Sequence, residues 1–175
     1  DISDGMIRDV RRTLGADSRF SFLCFDAAQI PFPDASFDLV IANHVLFYCD
    51  DPSAVCGEAK RVLKKTGSLI ASTYGAGHMA EVTRLVQEFD PRIVLSANKL
   101  YEQFGLDNGD AILSAHFSSV AQKRYPDQLL VDHPEPLIEY ILSCHGNQNQ
   151  YLLDRYQDFR QFIQKKTARP FKITK

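Results

Sequence analysis

Along residues 4–14 the apolar positions Met6, Ile7, Val10 and Leu14 recur at helical spacing, with Arg8, Asp9, Arg11 and Arg12 on the other side. The pattern predicts an amphipathic helix capped by Ser3, with Asp4 in its first turn and Gly15 at its end. Residues 20–25 are a short apolar and aromatic run, read as a strand that stops at Asp26. Ile30-Pro31-Phe32-Pro33-Asp34 is excluded from regular structure, because its two prolines withhold amide donors and fix the backbone. Residues 37–42 carry the strongest strand signal. Leu39, Val40, Ile41 and Ala42 are continuous, which suits a central strand covered on both faces. Asp51-Pro52 then opens a helix whose apolar stripe is Val55, Ala59, Val62 and Leu63; Lys60, Arg61, Lys64 and Lys65 are expected to point outward or to its C-terminal end. Gly67 releases the chain into a buried strand over residues 68–74.

The second half is more mixed. Met79, Val82, Val86 and Phe89 mark a helix, and residues 90–109 read as irregular or as short helices. Strand pieces are expected at residues 120–125 and 128–131, around Pro126-Asp127. A helix follows over residues 136–144 and another over residues 151–165, with Leu152, Tyr156, Phe159 and Ile163 on one face. The alternation in Phe171-Lys172-Ile173-Thr174-Lys175 reads as a strand. Strands alternating with helices imply right-handed crossovers and a parallel sheet, hence an α/β fold. No repeat or linker divides the 175 residues, so a single domain is expected over 1–175.

Composition narrows the function classes. The net charge of −2 supplies no field that would draw nucleic acid or an anionic membrane. No apolar run approaches the roughly 20 residues of a membrane-spanning helix. Cys24, Cys49, Cys56 and Cys144 include no C-x-x-C pair, and no His lies at zinc-finger spacing from them. They are read as reduced thiols of a cytoplasmic protein, and no metal site is expected.

In an open α/β sheet, ligands bind beyond the carboxyl ends of the strands. The residues there are Asp1, Asp26 with Ala27, Asn43 with His44, and Tyr74 with Gly75. A carboxylate at Asp1 can accept both hydroxyls of a ribose, and Met6 can lie flat on a purine. Asp26 can accept from an adenine amino group. At Asn43 a carbonyl can hold the ammonium of an amino-acid tail. Taken singly these residues have plainer roles: an Asp after a strand is commonly a turn cap and a lone Met is commonly core. The case rests on their succession at consecutive strand ends.

Three stretches then carry a family resemblance. Asp1-Ile2-Ser3-Asp4-Gly5-Met6 resembles the D-[IL]-S-x-x-M segment of class I S-adenosylmethionine-dependent methyltransferases. The stretch running from Asp26-Ala27 through Ile30-Pro31-Phe32-Pro33-Asp34 to Ser36-Phe37-Asp38-Leu39-Val40 resembles their D-A-x-x-L-P-F-x-D-x-S-F-D-x-V segment. Arg61-Val62-Leu63-Lys64-Lys65-Thr66-Gly67 resembles their R-V-L-K-P-G-G turn, with Lys65-Thr66 where the family has Pro-Gly. In style the chain is similar to the small-molecule, ubiquinone/menaquinone-biosynthesis-type members, and the motifs cover residues 1–75.

The resemblance implies S-adenosyl-L-methionine as cofactor and a Rossmann-like sheet with helices on both faces, strand order 3-2-1-4-5-7-6 and an antiparallel last strand. It also implies that the family's first strand and glycine-rich loop belong upstream of Asp1, so that the fold is N-terminally incomplete. Asp1 and Ile2 would meet the ribose, Met6 the adenine, Asp26 and Ala27 the adenine edge, and Asn43 and His44 the methionine end and the methyl group. Residues 1–75 would form the cofactor half and residues 76–175 the acceptor side. The acceptor would be a small molecule rather than nucleic acid or membrane. His44, Tyr48 and His78, with Tyr74 beside them, are the candidates for a general base, and residues 95–109, with Tyr101 and Phe104, for an acceptor-site lid. The oligomeric state is left open.

Two other readings share the sequence features. A nicotinamide-dependent oxidoreductase would use a similar acidic ribose anchor, but the chain has no G-x-G-x-x-G and no Tyr-x-x-x-Lys pair. A non-catalytic methyltransferase-like module would keep the fold and bind a partner. Nucleic-acid methylation has only Lys60, Arg61, Lys64 and Lys65 in its favour, a run that reads as a solvated helix face.

Overall fold

Ser3 starts the first helix: its hydroxyl accepts the Met6 amide at 3.3 Å. In the computed structural model, which describes residues 1–96 and 99–175, the helices and strands follow in this order. First come α1 (Asp4–Leu14), β1 (Phe37–Asn43), α2 (Pro52–Val62) and β2 (Leu63–Ser72), then α3 (Ala80–Phe89), α4 (Leu100–Gln103) and α5 (Gly109–Ser114). They are followed by β3 (Gln128–Val131), α6 (Pro134–Ser143), α7 (Gln148–Leu152), α8 (Tyr156–Lys166) and β4 (Phe171–Thr174). None of these helices is long and apolar enough to cross a membrane. They group into two compact units, Asp1–Thr73 with Glu102–Gln122, and Tyr74–Tyr101 with Lys123–Lys175.

In the first unit β1 and β2 pair in parallel and α2 makes the crossover between them. Asp51 caps α2 by accepting the Ser53 and Ala54 amides at 2.9 and 3.0 Å, and Pro52 occupies a first-turn position that needs no donor. Val55, Cys56, Ala59 and Val62 bury the inner side of the helix. α5 lies on α2, where the His116 ring nitrogen Nε2 is 2.8 Å from the Ser53 hydroxyl.

In the second unit the core joins Val82, Leu85 and Val86 of α3 to Ile138 and Ile141 of α6, Phe159 and Ile163 of α8, and Ile173 of β4. β3 and β4 pair antiparallel, Gln128 opposite Thr174 and Val131 opposite Phe171. Glu81 ties β4 to α3, accepting the Thr174 amide and hydroxyl at 3.1 and 2.9 Å.

Several expectations are corrected. Residues 20–25 join no ladder; their backbone is held by the Phe25 amide on the Asp1 carbonyl at 3.0 Å and by Arg11 on the Phe22 carbonyl at 2.9 Å. An apolar run becomes a strand only where a second strand lies alongside, and among the described residues none does. The same applies to residues 120–125.

β1 is covered on one face only. Leu39, Ile41 and Ile70 stay 46%, 59% and 54% exposed. β1–β2 and β3–β4 are two separate pairs among the described residues, so the strand order implied by the resemblance is not formed as one ladder.

Lys64 and Lys65 do not extend α2 but belong to β2. Phe37 pairs with Leu63 and Leu39 with Ser68, so residues 64–67 bulge between them. A Cβ on Gly67 would stand 2.9 Å from the Leu63 side chain and 3.1 Å from the Asp38 and Lys64 carbonyl oxygens, which explains the glycine. The single helix expected over residues 151–165 is two, α7 and α8. The irregular stretch 90–109 contains α4 and includes residues 97 and 98, which lie outside the described residues.

Arg155, at the break between α7 and α8, turns onto Asp90 at 3.1 Å and lies over the Phe89 ring at 4.4 Å. Asp90 is buried and also takes Arg92 at 2.7 Å. Hydrogen bonding from Arg92 holds its carboxyl below the ordinary value of 3.8. A depressed folded-state value stabilises the fold above about pH 3.8, and that contribution is lost as pH falls through the folded-state value. Asp90→Asn is therefore expected to lower the melting temperature by several degrees at pH 7. The gap to the unaltered chain should narrow steadily below about pH 3.8, as scanning calorimetry across pH would show. A gap constant from pH 7 to pH 2 would assign the loss to shape rather than charge.

Candidate functional site

The segment before α1 and the segment after it lie side by side. Besides the Phe25 amide on Asp1, the Cys24 thiol contacts the Ile2 carbonyl at 3.3 Å. This brings Asp1 and Ile2 next to the residue that precedes Asp26. Asp1 Oδ1 accepts the Ser3 amide at 2.8 Å; Asp26 Oδ1 accepts the Ala28 amide at 2.9 Å, in a tight turn that contains Ala27. Each carboxylate thus serves as a local cap with one oxygen. The second oxygen of each takes no hydrogen-bond partner among the described residues. Ile2 and Met6, close to Asp1 along the chain, stay 72% and 59% exposed.

The second part of the site is the end of β1. His44 leaves the strand with φ 48°, in the left-handed region that only a minority of non-glycine residues adopt. Its amide donates to the Ser72 carbonyl and to the Ser72 hydroxyl, at 3.2 and 3.1 Å. Asn43 pairs with Ser72 across the ladder, and its Oδ1 accepts the Ser72 hydroxyl at 3.3 Å. A single 3-10 turn, Leu46–Tyr48, follows. Leu46 and Phe47 are buried under it, the His44 ring meets Phe47 edge-on at 6.0 Å, and Tyr48 projects 68% exposed.

Cys49 closes that turn. Burial pushes its thiol up, and the charges of Asp26 and Asp50 push it further. Asp1, Asp26 and the β1 end all belong to the first unit.

The remaining candidates fall elsewhere. His78 and Tyr74 belong to the second unit, their rings 4.9 Å apart, with Tyr101 6.4 Å from Tyr74. Phe104 is 2% exposed and its carbonyl accepts the Thr73 hydroxyl at 2.6 Å. It is a core residue of the first unit, not part of a lid surface.

Sequence reasoning missed Ser72 and misread Arg61. Arg61 does not face solvent as one of a basic run. It grips residues 30–34, donating to the Ile30 and Phe32 carbonyls at 2.9 Å each and to Asp34 at 2.8 Å. Glu58 holds the same guanidinium at 2.7 and 2.8 Å and accepts the Ile30 amide at 2.9 Å. Arg61 lowers the Glu58 carboxyl from 4.5 to about 2. The signal was available: an acid and a base at i, i+3, facing a proline-rich loop whose carbonyls have no ladder to satisfy them.

Residues 1–71 match a family described as a methyltransferase domain. Over 126 residues the chain is 31% identical to a malonyl-[acyl-carrier protein] O-methyltransferase of Methylovorus sp. (strain MP688), covering 68% of this chain and 41% of that protein. Over 84 residues it is 34% identical to a demethylmenaquinone methyltransferase of Clavibacter sepedonicus, covering 48% of this chain and 34% of that one. The chain thus spans less than half the length of these relatives. Its fold is shared with the YcgJ protein of Bacillus subtilis, with a TM-score of 0.58 at 18% identity over 99% of this chain and 76% of that chain. Asp1, Asp26, the Pro-rich loop and the parallel crossover all fall within or beside the matched residues, and it is this part of the chain that is similar to a methyltransferase domain.

Proposed function

We propose that this chain binds S-adenosyl-L-methionine at the Asp1, Asp26 and Asn43 neighbourhood and serves methyl transfer to a small-molecule acceptor by in-line displacement, in the cytoplasm. The observation that carries the reading is the pair of carboxylates on adjoining backbones, each with an oxygen left over for a ligand.

Asp1, with Ile2 beside it, would accept the ribose hydroxyls. Met6 would cover one face of the adenine, and Asp26 with Ala27 would take its edge. Asn43 and His44 would line the amino-acid end. These residues suit the cofactor chemically: a nucleoside needs hydroxyl and amino acceptors beside an apolar surface, and its amino-acid tail needs polar groups at the far end.

The cofactor, when bound, supplies a methyl group already activated on a sulfonium. The chain's own contribution is then chiefly orientation of the acceptor and exclusion of water. A base is needed only where the attacking atom carries a proton at neutral pH, and within the first unit His44 and Tyr48 are the side chains available for it. A small acceptor is in keeping with the name of the demethylmenaquinone methyltransferase, whereas the other relative's name puts its acceptor group on an acyl-carrier protein.

Thermal melting of the full chain with S-adenosylhomocysteine tests the reading. At about a hundredfold excess over the dissociation constant, mass action stabilises the folded state by about 2.7 kcal/mol, a rise of several degrees. No shift at saturation would remove the proposal. A shift with a nicotinamide dinucleotide alone would favour the oxidoreductase reading.

A further inference from the structure

Ser72 lies on the strand that does not carry the Asn43–His44 pair, yet it bonds to both residues. Its hydroxyl accepts the His44 amide at 3.1 Å, and this bond, with the one to the Ser72 carbonyl, keeps His44 in its left-handed turn. With an acceptor site of the hydroxyl oxygen engaged by His44, its proton is directed to Asn43 Oδ1, 3.3 Å away. In this arrangement the Asn43 amide turns its oxygen towards Ser72. Its Nδ2 group, with two donors, takes no partner among the described residues, and Asn43 is exposed.

We propose that Ser72 is a positioning residue that sets the Asn43 amide as a donor, so that the amino-acid tail of the ligand is recognised there through its carboxylate rather than its ammonium. The proposal rests on the cofactor reading given above. It adds a residue that would touch no ligand atom and assigns the polarity of the Asn43 contact. A carboxylate accepts two N–H bonds from one amide nitrogen or shares them with a neighbouring donor, whereas an ammonium gains nothing from Nδ2. The strained His44 turn fits the same scheme, since left-handed backbone at a non-glycine residue persists only where neighbouring bonds enforce it.

Calorimetric titration of the full chain with two ligands tests this. S-adenosylhomocysteine has the amino-acid tail; methylthioadenosine keeps the nucleoside and thioether but has no tail. Ser72→Ala is expected to weaken S-adenosylhomocysteine about tenfold and to leave methylthioadenosine within about twofold. Ser72→Thr, which keeps the hydroxyl, should restore most of the loss. Asn43→Asp, which puts an acceptor where the donor stands, should weaken S-adenosylhomocysteine more than Ser72→Ala does, again sparing methylthioadenosine.

Unchanged methylthioadenosine binding also shows that each variant is folded. Equal losses for both ligands in Ser72→Ala, or no loss for either, would overturn the role of Ser72. Retained or tighter S-adenosylhomocysteine binding by Asn43→Asp would mean that the ammonium is the partner, and would overturn the polarity. In each of these cases the cofactor site itself stands. Binding of neither ligand by the unaltered chain would instead remove the cofactor reading, and this proposal with it.

Discussion

Arg61→Ala is expected to lower the melting temperature on the order of 10 °C at neutral pH, the largest loss from a single half-exposed side chain in this protein. Arg61 holds two main-chain carbonyls and two carboxylates at once. The carbonyls belong to residues 30–34, where Pro31 and Pro33 rule out a ladder, so the guanidinium is their main intramolecular partner. Truncation leaves Glu58, half-buried, facing Asp34 with no cation between them.

The pH dependence separates charge from shape. In the intact clamp the Glu58 carboxyl is lowered from 4.5 to about 2. A lowered folded-state value means stability that is fully present above about pH 4.5 and is lost as pH falls through about 2. The difference between the unaltered chain and Arg61→Ala should therefore be widest above pH 4.5 and shrink towards pH 2. Arg61→Lys keeps the charge but not the planar fork, and should recover only a minor part of the loss. Melting curves at pH 3 and pH 7 check this. An Arg61→Ala loss equal at both would show that the clamp acts by filling space. Since the gripped loop leads out of the Asp26 turn, the variant should also weaken nucleoside binding.

The clamp also shows where sequence reading stopped. α1 came out at its observed bounds because its information is local: a capping hydroxyl at Ser3, helical spacing and a glycine after the last turn. β4 was equally plain, since alternation marks a strand that is half covered. Residues 20–25 show the opposite case. Hydrophobicity reports the wish to be buried, but a strand also requires a neighbour, which the run itself cannot encode.

The site divides in the same way. Asp1, Asp26, Asn43 and His44 could be named as candidates because they fall in or beside motif stretches, although of the four only Asn43 and His44 stand at the end of an observed strand. Ser72 was invisible, for a serine at the end of an apolar strand carries no pattern; only the ladder register, which sets it opposite Asn43, reveals what it bonds. Arg61 was read wrongly because its three basic companions do face solvent or a surface acid, and the local mark that sets it apart, Glu58 three residues earlier, carries weight only beside the proline-rich loop. The break between α7 and α8 was hidden for a related reason: the apolar face continues through it, while Arg155 is drawn out of the helix by Asp90, 65 residues away in sequence.

Asp1→Ala is expected to reduce affinity for S-adenosylhomocysteine by roughly a hundredfold or more, the largest binding effect of any single change. Two ribose hydroxyls on one carboxylate are charge-assisted bonds of about 1.5–3 kcal/mol each, and either alone is worth about a tenfold change in affinity. Asp1→Asn keeps one acceptor oxygen and should lose about tenfold. Asp26→Asn, which faces a single amino group on the proposed reading, should lose a comparable amount. Because the ribose is common to both, methylthioadenosine should weaken in parallel with S-adenosylhomocysteine in the Asp1 variants, unlike the selective loss expected from Ser72→Ala.

One confounding effect can be removed by a control. Asp1 Oδ1 also accepts the Ser3 amide at 2.8 Å, so truncation loosens the entry to α1 as well as the ligand contact. Ser3→Ala loosens the same turn by deleting the cap on Met6, but removes no group assigned to the ligand. If Ser3→Ala weakens nucleoside binding as much as Asp1→Ala does, the carboxylate acts through the helix and not through the ribose. If Ser3→Ala costs stability but leaves affinity nearly intact while Asp1→Ala weakens it about a hundredfold, the Asp1 carboxylate is the ribose anchor.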